Sequence, residues 1–167
     1  MGVYSVDKLI TETRRIAREY RLATGKTLPV TQEIAINDAI SILNLRPNND
    51  TSRAYDAYFD LEEDETLKVQ IKGRTIFNEK KSGHRIGQLK LEQEWDAIIL
   101  VIMDADFMPQ EIYMARRADI LEEIEDKEAL NKKGPITVAK FKIISELLWT
   151  EQNGLEQGSL WTNTASS

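Results

Sequence analysis

Three residues with complementary side chains occur within one short stretch of this sequence: Asp56, Gln70 and Lys72. A carboxylate and an amide oxygen are hard oxygen ligands of the kind that Mg²⁺ prefers. A neighbouring lysine can orient or deprotonate a water molecule and can stabilise the charge that builds on a phosphate. If the fold brings these three groups together, they form a minimum set for metal-assisted hydrolysis of a phosphodiester bond.

The alternation of polar and apolar residues predicts that two neighbouring strands carry these groups, at 54–61 and 67–77. Gln70 and Lys72 are two residues apart and therefore share the polar face of the second strand, while Asp56 lies on the polar face of the first. The acidic link between the strands is short enough for an antiparallel hairpin, although it lacks the usual Gly or Asn. The core face of the first strand is predicted to hold Tyr55, Ala57, Phe59 and Leu61.

The remaining elements follow from helical and strand periodicity. A helix at 29–45 is apolar almost all round, except for a narrow polar stripe that includes Glu33. Such a stripe either pairs internally or lines a wet site. On the helix at 6–24, Arg14, Arg18 and Arg21 of the outer face are interpreted as solvated. The other predicted elements are strands at 97–103 and 110–116, a helix at 117–129, and a final helix that begins at Thr137 and includes Leu147 and Leu148.

The charge of the chain is unevenly distributed. The net charge is −6, which argues mildly against a nucleic-acid partner, yet 66–90 carries seven Lys or Arg residues against Glu79 alone. This segregation is typical of a local polyanion-binding face, and a solvated hairpin with protective lysines explains it equally well. The candidate phosphate contacts are Lys68, Arg74, Lys80, Lys81 and Arg85, together with His84, for which simple solvent exposure is the alternative.

Composition limits the remaining choices. The 167 residues are 41% apolar and 30% charged and contain no cysteine, so thiolate ligands and disulfides are excluded. No apolar run approaches the roughly 18 residues of a membrane span, and the start lacks the pattern of a signal peptide. We therefore expect a cytoplasmic protein without a membrane partner. We also expect one domain at 1–150 and a flexible C-terminal tail at 151–167.

The motif of Tyr55-Asp56-Ala57 followed by KVQIKGR at 68–74 resembles the PD-(D/E)xK nuclease signature. Its Q-x-K form resembles that of the Mrr-like restriction endonucleases. The resemblance implies an α/β, restriction-endonuclease-like fold with a mixed central sheet flanked by helices. It also implies a DNA endonuclease that uses Mg²⁺ or Mn²⁺, with a homodimer as one way to cut both strands. Asp56, Gln70 and Glu33 would then hold the metal, and Lys72 would be the catalytic lysine.

Two alternatives stay open at this stage. In the first, Asp56 and Lys72 form only a cross-strand ion pair in the hairpin. In the second, the chain keeps the nuclease fold without the activity, because Gln70 replaces an acid that would strengthen metal binding. Such a protein would act as a nucleic-acid-binding or partner-binding subunit.

Overall fold

A mixed sheet covered by helices on its faces is the architecture of the computed structural model, which describes residues 5–77, 84–87, 89–125 and 136–156. The α/β class with a mixed sheet is therefore confirmed. The helices are α1 (Val6–Thr24), α2 (Thr31–Leu43), α3 (Arg117–Glu125) and α4 (Val138–Ile144). The strands are β1 (Arg46–Pro47), β2 (Ala57–Asp60), β3 (Thr66–Thr75), β4 (Ala97–Met103), β5 (Pro109–Arg116), β6 (Glu146–Thr150) and β7 (Gly154–Leu155).

The seven strands of this sheet are hydrogen-bonded in chain order, from β1 to β7. All neighbouring pairs are antiparallel except β3 and β4, which run parallel. A parallel pair needs a long connection that returns the chain to the starting end of the sheet. Residues 76–96 make this connection, and within their described parts Ile86, Leu91 and Trp95 pack on the face that carries Gln70 and Lys72.

The predicted hairpin of β2 and β3 is confirmed, and its turn explains how it forms without glycine. Glu63 and Asp64 both adopt left-handed backbone conformations, with φ of 59° and 61°. Two successive residues of this kind match the right-handed twist of the flanking strands. The hairpin pairs Ala57 with Val69 and Asp60 with Thr66, which fixes the register of the site.

A hydrophobic core lies on each face of the sheet. The first core is covered by α1 and α2 and includes Phe59, Ile71 and Ile99. The second lies on the opposite face and includes Trp95 and Leu100. Every residue of β4 is buried, as its continuous apolar run predicts.

The predicted final helix is wrong beyond Ile144. Ser145 adopts an extended conformation, and the following residues form β6 against β5. Leu147 packs on the second core and Leu148 belongs to the first, so these two leucines have the alternating burial of a strand. A helix predicted from the spacing of apolar residues alone misses this change of period.

The predicted boundary of the flexible tail is also too early. Thr150 pairs with Gly154, whose φ of 69° closes a tight hairpin to β7. The remaining tail residues, 157–167, lie outside the described residues.

Two further expectations near the site are corrected. Tyr55 was expected to share the core face of β2 with Ala57, but it belongs to the second core on the opposite face. The reason is that strand pairing begins only at Ala57, so the alternation does not extend back to Tyr55. The helix predicted at 29–45 ends at Leu43, and Arg46 and Pro47 form the short edge strand β1.

An ion pair fixes the two helices of the first core to each other. Arg14 forms a bidentate pair with Asp38, with N–O distances of 2.7 and 3.0 Å, and also donates to the carbonyl of Phe107. The interpretation of Arg14 as solvated is therefore wrong. Asp38 is only 7% exposed, so the pair compensates a carboxylate that would otherwise be buried alone.

The start of α2 packs directly on β3 at Gly73. A β-carbon added at Gly73 would lie 2.5 Å from the β-carbon of Ala35 and 3.2 Å from the carbonyl oxygen of Thr31. Contacts this short are not tolerated, so only glycine lets the helix and the strand approach so closely. This approach places the first turn of α2 beside Lys72.

We predict that Gly73→Ala lowers the free energy of unfolding by about 1 to 3 kcal/mol, because α2 must move away from β3. Chemical denaturation measures the change. Ala35→Gly alone should cost about 1 kcal/mol through helix propensity. The double variant should lose clearly less stability than the sum of the two single losses, because removing the β-carbon of residue 35 makes room for the one added at residue 73. Strict additivity would contradict direct contact.

Candidate active site

The candidate site lies where β2 and β3 separate. Strand pairing ends at Ala57 and Val69, and the N–H of Asp56 donates to the carbonyl of Val69 at 2.8 Å. Beyond this point the same edge of β3 is bonded by side chains. The Ile71 N–H donates to the Asp56 carboxylate at 2.7 Å, and the amide of Gln32 bonds both the Ile71 carbonyl and the Gly73 N–H. Two side chains thus replace a neighbouring strand.

Asp56 is held rigidly by these contacts. Its carbonyl accepts from the N–H of Asn48 at 3.0 Å, so its backbone is fixed on both sides. Oδ2 accepts from Ile71, whereas Oδ1 accepts no hydrogen bond from any residue that the structure describes. One carboxylate oxygen is used for positioning, and the other remains for a ligand.

Burial raises the pKa of Asp56 above its ordinary value. The Ile71 hydrogen bond and the charges of Lys72 and Lys90 oppose this rise, and the charge of Glu33 adds to it. The carboxylate is therefore poorly solvated and unstable as a lone anion. A bound cation would relieve that cost.

Gln70 is the deepest member of the candidate site. It is 3% exposed, and its side-chain oxygen Oε1 is buried without a hydrogen-bond partner among the described residues. A buried amide oxygen without a partner costs about 1 to 3 kcal/mol, and native proteins rarely tolerate such an atom without a reason. A water or a metal ion would satisfy it.

Lys72 lies on the same face of β3 as Gln70, and it is electrostatically linked to Asp56. Burial lowers the pKa of Lys72, the charges of Arg74 and Lys90 lower it further, and Asp56 partly opposes this effect. Within the described part of the chain, no ion pair of 4.0 Å or less joins Lys72 to Asp56. The simple cross-strand ion pair considered above is therefore not what the structure forms.

Glu33 lies in the first turn of α2, where its side chain is exposed. Its charge adds to the rise in the pKa of Asp56, as the smallest of the causes. Gln70 and Lys72 thus share one face of β3, the Asp56 carboxylate bonds the backbone of Ile71 between them, and Glu33 is exposed on α2.

The candidate phosphate contacts differ in what their side chains do. Lys68 forms an ion pair with Glu94. Arg74 donates to the carbonyls of Arg85 and Gly73, and so holds 84–87 against β3. The Nε2 atom of His84 is buried without a partner among the described residues. The predicted contacts Lys80 and Lys81 lie outside the described residues.

Gln32 is a site residue that the sequence analysis missed. It follows Thr31 at the start of α2, and both ends of its amide are bonded to the backbone of β3. Only the pairing pattern reveals this role, because a glutamine in a first helical turn is ordinarily solvated. In the sequence, the signal for this role was that Gln32 directly precedes Glu33 in the first turn of α2.

The residues present fit a hard divalent cation. Asp56 and Gln70 offer one carboxylate and one amide oxygen, and Gln70 Oε1 is buried without a partner. No group of three or more His, Asp or Glu side chains that could hold a metal occurs in the described ranges. The candidate ligands proposed here differ from such a group, because one of them is the side-chain amide of Gln70.

No protein-family model matches the sequence, and no curated protein matches it. In addition, none of the described helices has the length and apolar character needed to cross a membrane.

We predict that Lys72→Met stabilises the protein in the presence of a metal chelator. Burial and the charges of Arg74 and Lys90 disfavour the ammonium, and methionine keeps the shape of the stem without the charge. We expect a gain of about 0.5 to 2 kcal/mol in the free energy of unfolding, as is common when a functional group is removed. Denaturant titration at neutral pH measures this gain.

The pH dependence of that gain has a definite sign. Because the native pKa of Lys72 is lowered, the charged form costs stability at neutral pH and costs nothing once the lysine is neutral in both states. The gain should therefore shrink as the pH rises towards about 10.4, the ordinary value for lysine. Lys68→Met is the matched control on the same strand face, and it should give no gain because Lys68 is paired with Glu94. An equal gain for both variants would contradict the prediction.

Proposed function

We propose that this protein is a metal-dependent DNA endonuclease with a restriction-endonuclease-like fold. The observation that carries the proposal is the unpartnered, buried Oε1 of Gln70 on the strand face that also carries Lys72, beside the poorly solvated carboxylate of Asp56. Unsatisfied buried oxygens and unfavourably buried charges are concentrated at functional sites, where a ligand compensates them.

The order of elements supports the fold part of the proposal. A helix precedes an antiparallel hairpin, the carboxylate lies at the start of one strand, and the Q-x-K sequence lies on the next. A buried parallel strand then follows. This is the arrangement that the PD-(D/E)xK resemblance implies.

Asp56 and Gln70 would hold Mg²⁺ or Mn²⁺ with Glu33 at the open side, and the ion would supply charge stabilisation to the phosphate. Lys72 has a lowered pKa, so it gives up its proton more readily than an ordinary lysine. In its neutral form, the Lys72 amine would accept a proton from the attacking water as the new P–O bond forms. The old P–O bond breaks, and the leaving sugar oxygen takes a proton from solvent.

DNA is the proposed substrate because the motif resembles DNA endonucleases and because basic residues surround the site. Arg85 and His84 lie next to β3 through the Arg74 contact, and Lys90 acts on the same two groups, Asp56 and Lys72. Since each chain has one such site, cutting both strands would require two copies or two encounters.

We predict that the purified protein cleaves duplex DNA with Mg²⁺ or Mn²⁺ and not with a chelator. Lys72→Ala and Asp56→Ala should each reduce the rate at least about 100-fold, because each removes a group that acts on the reacting atoms. Gel analysis of supercoiled and linear DNA measures the rate. No cleavage of any DNA by the wild-type protein, or full cleavage by Lys72→Ala, would contradict the proposal.

Gln70→Glu is the informative companion variant, because it restores a carboxylate at the same position. We expect it to bind the cation more tightly than wild type, whereas Gln70→Leu should bind it more weakly. Isothermal titration calorimetry with Mn²⁺ measures both. Lys8→Ala, an exposed change on α1, serves as the control and should change neither binding nor cleavage.

A second candidate function has one observation in its favour: the buried part of the site holds a single carboxylate, and Gln70 supplies only a neutral oxygen. A weak metal site would leave a DNA-binding or partner-binding subunit of the same fold. DNA binding that weakens with salt, with no calorimetric signal for Mg²⁺ or Mn²⁺, would favour this function. Metal binding that disappears in Asp56→Ala would count against it.

A further inference from the structure

We propose that Lys90 is a phosphate-binding residue of the candidate site and that Arg117 positions it. Lys90 would contact a non-bridging phosphate oxygen of the nucleic-acid backbone, next to Asp56 and Lys72. This inference rests on the proposed function and adds two residues to it. We refer to residues 89–96 as the Trp95 loop.

The Trp95 loop is a built element in which the backbone at Lys90 is fixed. The indole N–H of Trp95 donates to the carbonyl of Lys90 at 2.9 Å, and the N–H of Gln93 donates to the same oxygen at 3.0 Å. Trp95 is 2% exposed and belongs to the second core. The carbonyl of Lys90 is thus anchored to the core of the protein.

Arg117 shapes the rest of the loop. Its guanidinium donates to the carbonyls of Gln93 at 2.9 Å and Trp95 at 3.2 Å, and also to the carbonyl of Leu91. Its Cζ atom lies 4.4 Å from the centre of the Trp95 ring. An arginine that bonds three carbonyls of one loop stabilises a particular loop conformation, since each carbonyl would otherwise need another donor.

The side chain of Lys90 is left at the surface by its neighbours. Leu89 and Leu91 both pack against the second core, and Lys90 between them is exposed. No ion-pair partner of Lys90 occurs in the part of the chain that the structure describes, in contrast to Lys68 with Glu94. The loop itself lies beside the site: the N–H of Asp96 donates to the carbonyl of Lys68 on β3 at 2.7 Å, and Leu91 and Trp95 pack on the face of β3 that carries Gln70 and Lys72. The charge of Lys90 acts on both Asp56 and Lys72, in agreement with this position.

A cation at this place would offset the repulsion between the carboxylates of the site and a bound phosphate. A phosphodiester brings a negative charge towards the carboxylates of Asp56 and Glu33, which repel it. An ammonium held at the solvent side of the site offsets that repulsion, and lysine is a compact point charge well suited to phosphate. Because the loop is fixed in advance, little conformational entropy is lost when the phosphate binds.

Salt dependence of DNA binding tests the role of Lys90. The wild-type protein, Lys90→Ala and Lys8→Ala are titrated with a duplex of about 20 base pairs in chelator, at several salt concentrations. We expect the slope of log K against log salt to fall by about 1 for Lys90→Ala and to stay unchanged for Lys8→Ala. Lys90→Arg should restore the slope, because the charge is restored.

Arg117→Ala tests the positioning role. It should raise KM for DNA cleavage about as much as Lys90→Ala does, and the double variant should be little worse than either single variant. Circular dichroism and thermal unfolding identify any variant that has lost the fold. In that case Arg117→Lys, which keeps the charge but lacks the planar guanidinium that spans the three carbonyls, replaces it in the comparison.

The outcomes separate this inference from the proposed function. An unchanged slope for Lys90→Ala, or an equal loss for Lys8→Ala, would overturn the inference while cleavage by the wild-type protein still supports the function. Additive losses in the Arg117 and Lys90 double variant would overturn the positioning role alone. A wild-type protein that neither binds nor cleaves DNA would overturn both.

Discussion

On the edge that faces away from β4, the backbone of β3 beyond Val69 needs hydrogen-bond partners that no strand supplies. Asp56 and Gln32 provide them, from the start of β2 and from the first turn of α2. This requirement determines much of the local structure, because unbonded N–H and C=O groups in a buried sheet are costly. It fixes the Asp56 carboxylate at the sheet edge, brings Glu33 with the same helical turn, and requires glycine at position 73 where helix and strand meet.

The same arrangement makes the site electrostatically unfavourable without a ligand. Burial raises the pKa of Asp56 and lowers that of Lys72, so each charge is less stable there than in water. Gln70 adds a buried oxygen that lacks a partner among the described residues. The rest of the fold, above all the wholly buried β4 and the two cores, compensates these costs. Such a division between a stable scaffold and a costly site is expected of a binding or catalytic centre.

β3, which carries Gln70 and Lys72, and β2, which begins directly after Asp56, could be predicted from the sequence, because polar and apolar residues alternate along both strands. α1 and β4 were equally clear, from strong periodicity and a continuous apolar run. The change from α4 to β6 was not clear from the sequence, because Leu147 and Leu148 fit a helical pattern as well as a strand. Gln32, Arg117 and the burial of Arg14 could not be predicted, because their partners are distant in the sequence and become neighbours only through the fold.

If a divalent cation binds between β2 and β3 through Asp56 and Gln70, as we propose, substoichiometric Mn²⁺ should broaden the NMR signals of the nearest amides. The side-chain amide of Gln70 and the backbone amides of Asp56 and Ile71 should then broaden first, and Asp56→Ala should abolish this effect. Uniform broadening, or broadening centred on an exposed acidic surface such as Glu62 and Glu63, would contradict this proposal.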